Sequence, residues 1–260
     1  MVKNNHMRLF NAYASIMLAG AIGPGWAGES RVLTNACELD LGSYRAVVEP
    51  NGVLRAIYME SNQAAGAVAL AAYPSDQNSY YNQAAAAAGS SNMPAGVLLT
   101  VVSNLTTVCA AGRHTDREGQ PVFQYQSRLV FHPAGLVDME YQISHIRDGR
   151  WRAYGPSLMV NCPTNGPENG WVSESAAEVR YGFFGGKPVC VEASSVRVET
   201  QAGVVNFTAG AGSFLRGDPG QGNFYVHSLP RDPATAAGMQ QTLKLTIKMP
   251  AKALVRILTP

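Results

Sequence analysis

Charge is scarce in this sequence: Asp, Glu, Lys and Arg make up 15% of its 260 residues, where about 25% is usual. Its polar surface must therefore come largely from Ser, Thr, Asn, Gln and backbone. That composition suits exported β proteins and argues against a disordered chain kept in solution by charge. The net charge is only +2, and the basic residues are scattered. No Lys/Arg cluster with interleaved aromatics is present, so nucleic acid is not an expected partner. Cysteine is sparse as well. None of the four cysteines forms a CxxC pair, which disfavours a zinc ribbon or a thioredoxin-type site. Gly-x-Ser-x-Gly, His-Glu-x-x-His, P-loop and Asp-x-Asp-x-Asp-Gly sequences are all missing. Serine hydrolase, zincin, nucleotide and EF-hand readings therefore have no support, and no cofactor or metal is expected.

The N-terminus carries the compartment signal. Lys3, His6 and Arg8 precede an apolar stretch from Leu9 through Ile22, and Gly23-Pro24-Gly25-Trp26-Ala27 follows. That is the order of a signal peptide: basic region, apolar region, small-residue cleavage site. The apolar run falls short of the roughly 20 residues of a membrane span. Polar Glu29-Ser30-Arg31 follows at once. Residues 1–27 are therefore expected to be a cleaved leader, exporting residues 28–260 from a bacterial-type cytoplasm to the periplasm or beyond. The competing reading is an uncleaved anchor or a buried first helix. No later segment is long and apolar enough to span a bilayer.

Cys37, Cys109, Cys162 and Cys190 all lie beyond the expected cut. An even count in an exported chain suggests disulfides, and four cysteines allow three connectivities. The expected pairs are neighbours in sequence, Cys37–Cys109 and Cys162–Cys190. Four buried thiols are the alternative.

Residues 28–260 read as strand after strand. Tyr44 to Glu49 and Val53 to Tyr58 are β-prone runs joined by Pro50-Asn51-Gly52, and Asn-Gly between such runs is a strong hairpin signal. Leu98 to Val108 is a further run rich in Val, Leu and Thr. Val122 to Phe131 and Leu136 to Ile143 alternate on either side of His132-Pro133-Ala134-Gly135. Val137, Met139, Tyr141 and Ile143 share one face, with Asp138, Glu140 and Gln142 on the other, so one face is buried and one wet. Val196 to Thr200, Gln201-Ala202-Gly203 and Val204 to Thr208 form another hairpin. Gly222 to Ser228 and Leu243 to Met249 complete the set. The fold class expected is all-β, a large antiparallel β-sandwich forming one domain. Residues 60–96 break the pattern. Asn62 to Leu70 is Ala-rich and Ala84 to Ala88 is all alanine, so this segment reads as a long surface loop with a helical turn or two. Tyr73, Tyr80 and Tyr81 within it form either a sugar-stacking lip or pins that hold the loop to the sheet.

The paired strands around His132-Pro133-Ala134-Gly135-Leu136 resemble the long hairpins of the galactose mutarotase-like β-supersandwich. So does the tail, from Val196-Arg197-Val198-Glu199-Thr200 through Gly222-Asn223-Phe224-Tyr225-Val226-His227 to Gly238 and Leu243-Lys244-Leu245. The resemblance covers roughly residues 40–250 as a strand pattern. Aldose epimerases, domains of polysaccharide lyases and the C-terminal domain of large β-galactosidases share that fold. Asn165-Gly166-Pro167-Glu168-Asn169 is similar to a Gly-Pro-x-Glu-Asn stretch of the last, with one spacer absent. The resemblance implies a carbohydrate ligand and, for an epimerase, a histidine and a carboxylate as acid and base.

No histidine falls in a stretch that matches the epimerase motif. His132 beside Pro133 reads as structural and His145 as solvent-facing, while His227 is a candidate to line a concave face. Glu168, Glu174 and Glu178 are candidate carboxylates, with plain surface solvation as the competing reading. For ligand contact, the loop from Pro163 to Trp171 is the first choice. Asn165 and Asn169 supply amides, Glu168 a carboxylate and Trp171 a flat apolar face. Trp151, expected to be partly buried, and Tyr154 are further aromatic candidates. The reading that results is an exported carbohydrate-binding or structural envelope protein with glycan as its partner. A carbohydrate-active enzyme using a His/carboxylate pair is the alternative. Expressed with its N-terminus in a Gram-negative host, the protein should appear in the periplasm beginning near Gly28. Recovery of exported protein with Met1 intact would reject the cleavage site.

Overall fold

The structure, a computed structural model, describes residues 29–32, 35–75, 80–84, 96–102, 105–161, 171–174, 179–182, 192–218 and 223–250. Nearly all regular structure among them is antiparallel β. The larger sheet contains β1 (Glu29–Val32), β8 (Gly96–Val102), β9 (Leu105–Thr115), β10 (Pro121–His132), β11 (Leu136–His145), β14 (Trp171–Glu174), β15 (Val179–Gly182), β16 (Ser195–Thr200), β17 (Gly203–Ala209) and β21 (Gln240–Lys248). Its spatial order is β1-β8-β9-β10-β11-β21-β17-β16-β14-β15. The second sheet contains β2 (Cys37–Asp40), β3 (Arg45–Val48), β4 (Leu54–Met59), β5 (Asn62–Ala65), β6 (Val68–Ala72), β7 (Tyr81–Asn82), β13 (Ser157–Asn161), β18 (Phe214–Asp218) and β19 (Asn223–His227). Its main path runs β18-β19-β13-β6-β4-β3-β2, with β5 on β4 and β7 on β6. A small ribbon pairs β12 (Gly149–Arg150) with β20 (Ala234–Thr235).

The inward faces of the two large sheets meet in one buried apolar cluster. The β10–β11 hairpin supplies its centre. Leu129 lies opposite Met139, Ser127 opposite Tyr141 and Tyr125 opposite Ile143. Val137, Met139, Tyr141 and Ile143 are all buried, as their alternation requires. Each large apolar side chain taken from water contributes roughly 1.5–3 kcal/mol, so this hairpin and its neighbours account for much of the driving force. The β16–β17 hairpin forms around Gln201 and Ala202, with Thr200 paired to Gly203. The stretch expected as one run at 98–108 divides into β8 and β9, which pair with each other.

The turn at Pro50-Asn51-Gly52 joins β3 to β4, with Asn51 and Gly52 buried. Gly52 has φ +81°, and a Cβ there would sit 2.3 Å from Ala110 Cβ in the opposite sheet. Only glycine meets both conditions, since it adopts positive φ without strain and occupies no space.

The Ala-rich loop is a correction. Asn62–Ala65 and Val68–Ala72 are strands, and all five residues of Val68–Ala72 are buried. Val68, Leu70 and Ala72 face the core. Strands β4 and β13 flank this strand and supply its hydrogen bonds. Helix propensity is a weak prior that such pairing overrides. Gln83 and Ala84 are helical, and residues 85–95 lie outside the described residues. Of the three tyrosines, Tyr81 points inward and is buried, whereas Tyr80 is exposed.

The expected Cys37–Cys109 disulfide is also corrected, because no bond joins them. On β9, Val108 and Ala110 take the inward positions. Cys109 therefore faces the outer side of the larger sheet, while Cys37 packs against the core from the second sheet. The layers between them exceed the reach of a disulfide. Cys162 and Cys190 lie outside the described residues.

One polar side chain ties the layers together. Gln83 is fully buried. Its Nε2 donates to Asn51 O and Tyr125 Oη, each at 3.0 Å. Its Oε1 accepts from Leu70 N at 3.0 Å and from Tyr141 Oη at 3.3 Å. Two donors and two acceptors are all this amide's capacity, so the network fixes its orientation. Replacing Gln83 with Leu strands these partners in the core. The expected loss is on the order of 4 kcal/mol, measured by urea denaturation. A loss below about 1 kcal/mol would contradict this role.

Candidate functional site

A concavity of about 320 Å³ lies on the outer face of the second sheet. Strand alternation builds it. On β18 and β19, Leu215, Phe224 and Val226 point into the core. The intervening Phe214, Arg216, Tyr225 and His227 therefore share the outer face. Phe214 lies opposite His227, and Arg216 opposite Tyr225. On the neighbouring strands Ser157 lies opposite Ala71. These small side chains leave the depression that the larger ones surround.

Aromatic rings form the walls. Tyr154 packs on His227 with ring centroids 4.4 Å apart, and Phe214 meets both rings edgewise or tilted. Tyr73 and Tyr80, which follow β6 and precede β7, form a second aromatic pair 6.1 Å apart. Tyr80 Oη reaches Met159 Sδ at 3.9 Å. Three arginines complete the lining. The Arg152 guanidinium lies 4.6 Å from the Tyr73 ring centroid, and that of Arg216 lies 4.8 Å from the Tyr154 ring centroid. Arg231 Nε lies 3.4 Å from Asp232 Oδ2.

The rim is held by an unusual backbone pair. Ala153 and Asp232 have φ values of +58° and +50°, a region that non-glycine residues seldom occupy. Each backbone N–H donates to the other residue: Asp232 N to Ala153 O, and Ala153 N to Asp232 Oδ1 at 2.9 Å. Reciprocal bonding of this kind is what sustains two strained turns. It fixes Arg152, Tyr154 and Arg231 around the opening.

Of the candidates read from sequence, the structure brings Tyr154 and His227 together in this cleft. Trp151 is corrected, because it is only 2% exposed. Its Nε1 donates to Thr235 Oγ1 at 2.9 Å, and its ring packs edgewise on Phe123 and His145. A ring so enclosed cannot touch a ligand. Trp171 is placed by its backbone in β14, paired with Val198 and Gly182, so it belongs to a strand where a loop was expected. Asn165, Glu168, Asn169 and Glu178 lie outside the described residues, and Glu174 is placed only by its backbone. Among the described residues no group of three potential metal ligands converges, and no helix is long and apolar enough to cross a membrane.

The sequence reading missed the three arginines and the Tyr73–Tyr80 pair as one site. A signal was present in Phe214-x-Arg216 and Tyr225-x-His227, where period two sets a cation and aromatics on one face.

No protein-family profile and no curated protein sequence matches the chain. Solved structures do. The Slr1438 protein of Synechocystis sp. PCC 6803 superposes with a TM-score of 0.51 at 11% identity, over 89% of this chain and 100% of that one. A galactose mutarotase related enzyme from Lactobacillus acidophilus gives 0.47 at 7% identity, over 84% and 98%. A galactose mutarotase-like protein from Lactobacillus casei ATCC 334 gives 0.46 at 10%, over 83% and 100%. The likeness to Slr1438 is one of fold alone, and none of these structures assigns an activity to this chain.

The histidines are mostly interior. His145, expected to face solvent, is buried and donates Nε2–H to Gln241 Oε1 at 3.4 Å. The Gln241 amide nitrogen is committed to Pro156 O at 2.8 Å, which fixes that tautomer. His132 pairs with Asp138 at the β10–β11 turn, 3.0 Å apart. His114 lies between Tyr81 and Phe123 with neither ring nitrogen bonded. Burial pushes it down to about 4 and pushes His227 down to about 3, where Arg216 adds to the effect.

A folded-state pKa below the unfolded value of about 6.5 means that the unfolded chain binds protons first. The stability these rings contribute is therefore complete above about pH 6.5 and lost as the pH falls. The cost is on the order of 2 kcal/mol per histidine at pH 4.5. The urea midpoint should drop between pH 7 and pH 4.5, and His114→Phe should drop less. An identical acid loss in the two proteins would contradict this assignment.

Proposed function

We propose that this chain is an exported, carbohydrate-binding β-sandwich protein that holds its sugar in the tyrosine-walled cleft. The observation that carries this reading is the aromatic wall around a polar floor. Tyr73 and Tyr80 stand together at one side of the cleft, with Tyr80 48% exposed. Sugar rings present apolar C–H faces that pack on such rings, and their hydroxyls need the polar groups beside them. Ser157 and the arginine side chains supply those groups in the lining. The volume suits one or two sugar rings, at the lower end of the roughly 300–1,000 Å³ of small-molecule sites.

Binding without turnover is favoured over the enzymatic alternative by the titratable groups. Among the described residues the cleft lining includes His227 and no Asp or Glu. His227 is desolvated, and its Nδ1 has no hydrogen-bond partner. An epimerase-type mechanism needs an acid and a base placed across the ring, and among the described residues the nearest carboxylate to the cleft, that of Asp232 at the rim, is engaged by Arg231 and the Ala153 amide. Export rests on the N-terminal order of basic, apolar and small residues.

A glycan array with the mature protein should identify a sugar ligand. Tyr73→Ala and Tyr80→Ala should then weaken binding roughly tenfold each, the effect of losing one aromatic contact. Because Tyr80 is exposed, its variant should keep the parental urea midpoint. Unchanged affinity in both variants would rule out this cleft as the site. Conversion or cleavage of the bound sugar would contradict a purely binding role.

A further inference from the structure

We infer that the ligand of this cleft is an anionic saccharide, a sugar whose carboxylate or ester oxyanion is taken by the guanidinium groups of Arg152 and Arg216. The inference deepens the sugar-binding reading and rests on it. The charges that line the cleft are all of one sign among the described residues: Arg152, Arg216 and Arg231. One carboxylate stands at the rim, that of Asp232, and it is shared between Arg231 and the Ala153 amide. That leaves Arg152 and Arg216 as the cations without a counter-ion. Neither guanidinium has an ion-pair or hydrogen-bonding partner among the described residues.

The way the two side chains are held supports the same conclusion. Each lies against a tyrosine ring, Arg152 on Tyr73 and Arg216 on Tyr154. A cation–π contact takes up no oxygen acceptor, so N–H donors of each guanidinium remain available for a ligand. Those donors form a fixed fork that fits two oxygens of one oxyanion. The rings that orient the cations also offer the apolar surface a sugar needs, so both halves of such a ligand meet the same wall. His227 adds a further observation. It is a nine-tenths-buried polar side chain in the lining, its Nδ1 has no partner, and Arg216 helps to keep it neutral. Burial first, and Arg216 second, keep His227 neutral, so the charge of the described lining is that of its arginines, which an incoming anion would neutralise.

Titration calorimetry on the mature protein distinguishes the ligand sources. The probes are trigalacturonate, the neutral galactose trisaccharide, glucose 6-phosphate, sodium acetate and inorganic phosphate, each at low and moderate salt. Trigalacturonate or glucose 6-phosphate should bind at least tenfold more tightly than the neutral trisaccharide. Which of the two wins tells carboxylate from ester. Binding should weaken with added salt. Arg152→Gln and Arg216→Gln should each cost roughly ten- to a hundredfold in affinity for the acidic sugar, the usual loss for a charged hydrogen-bonding partner. Both variants should lose less affinity for the neutral sugar than for the acidic one, so that the preference for the acidic sugar falls at least severalfold.

Equal binding of acidic and neutral sugars, unaffected by the two substitutions, would overturn the anionic inference while leaving sugar binding intact. Tight binding of acetate or phosphate with no gain from the sugar ring would overturn the sugar reading and keep an anion site. Binding of none of the five probes would overturn both.

Discussion

The fold turns on a single buried amide. Gln83 spends all four of its hydrogen bonds on partners from both large sheets and from the turn that precedes β4. A buried polar group is costly unless every partner is present, and one that is satisfied specifies a single arrangement. Tyr125 and Tyr141 carry hydroxyls into the core of the larger sheet, and Gln83 is what makes that burial tolerable. Asn51 returns the contact by donating to Gln83 O at 2.7 Å. The segment from Tyr80 to Gln83 is thus pinned at one end by this network. At the other end Tyr81 and Asn82 pair with Ala72 and Ala71. Tyr80 stands at the cleft because its neighbours are fixed in the core.

The cleft inherits its shape from the same pleat that builds the core. Alternate residues of β18 and β19 serve the two faces, so Phe224 and Val226 stabilise the sandwich while Tyr225 and His227 serve the concavity. Small residues do the rest. Ala71, on the outer face of β6, would waste an outward position in a solvated sheet, but here it lines the cleft. The rim turns at Ala153 and Asp232 carry backbone strain, and functional sites are where such strain is usually kept.

The long hairpins were legible in the sequence because their alternation is strict and their turns are chemically explicit. Val137, Met139, Tyr141 and Ile143 could face only one way, and Gly135 closes the turn with φ +82°. The strand at 68–72 was not legible. Its residues are apolar on both faces, which removes the period-two signal, and alanine favours helix when read alone. Trp151 was hard to place for another reason. Its arginine neighbours on both sides suggest a surface, yet an isolated bridge to Pro74 and the bond to Thr235 turn the ring inward. The cleft draws on four separated stretches, 71–80, 152–157, 216–227 and Arg231. Of these, Tyr73, Tyr80, Tyr154 and His227 stood out as candidates in the sequence, the arginines did not, and only the fold shows that they converge. The loop at 163–171 looked attractive because its amides and aromatic are contiguous, which is the kind of site a linear reading favours.

The central claim is that a sugar sits on the outer face of the second sheet, stacked on tyrosine and charge-paired with arginine. The most direct measurement is a crystal structure of the mature protein with an acidic oligosaccharide bound. The account predicts a sugar ring against Tyr73 or Tyr80, with its oxyanion within hydrogen-bonding distance of Arg152 or Arg216. Density for the sugar on the 163–171 segment, with only solvent in the cleft, would contradict it.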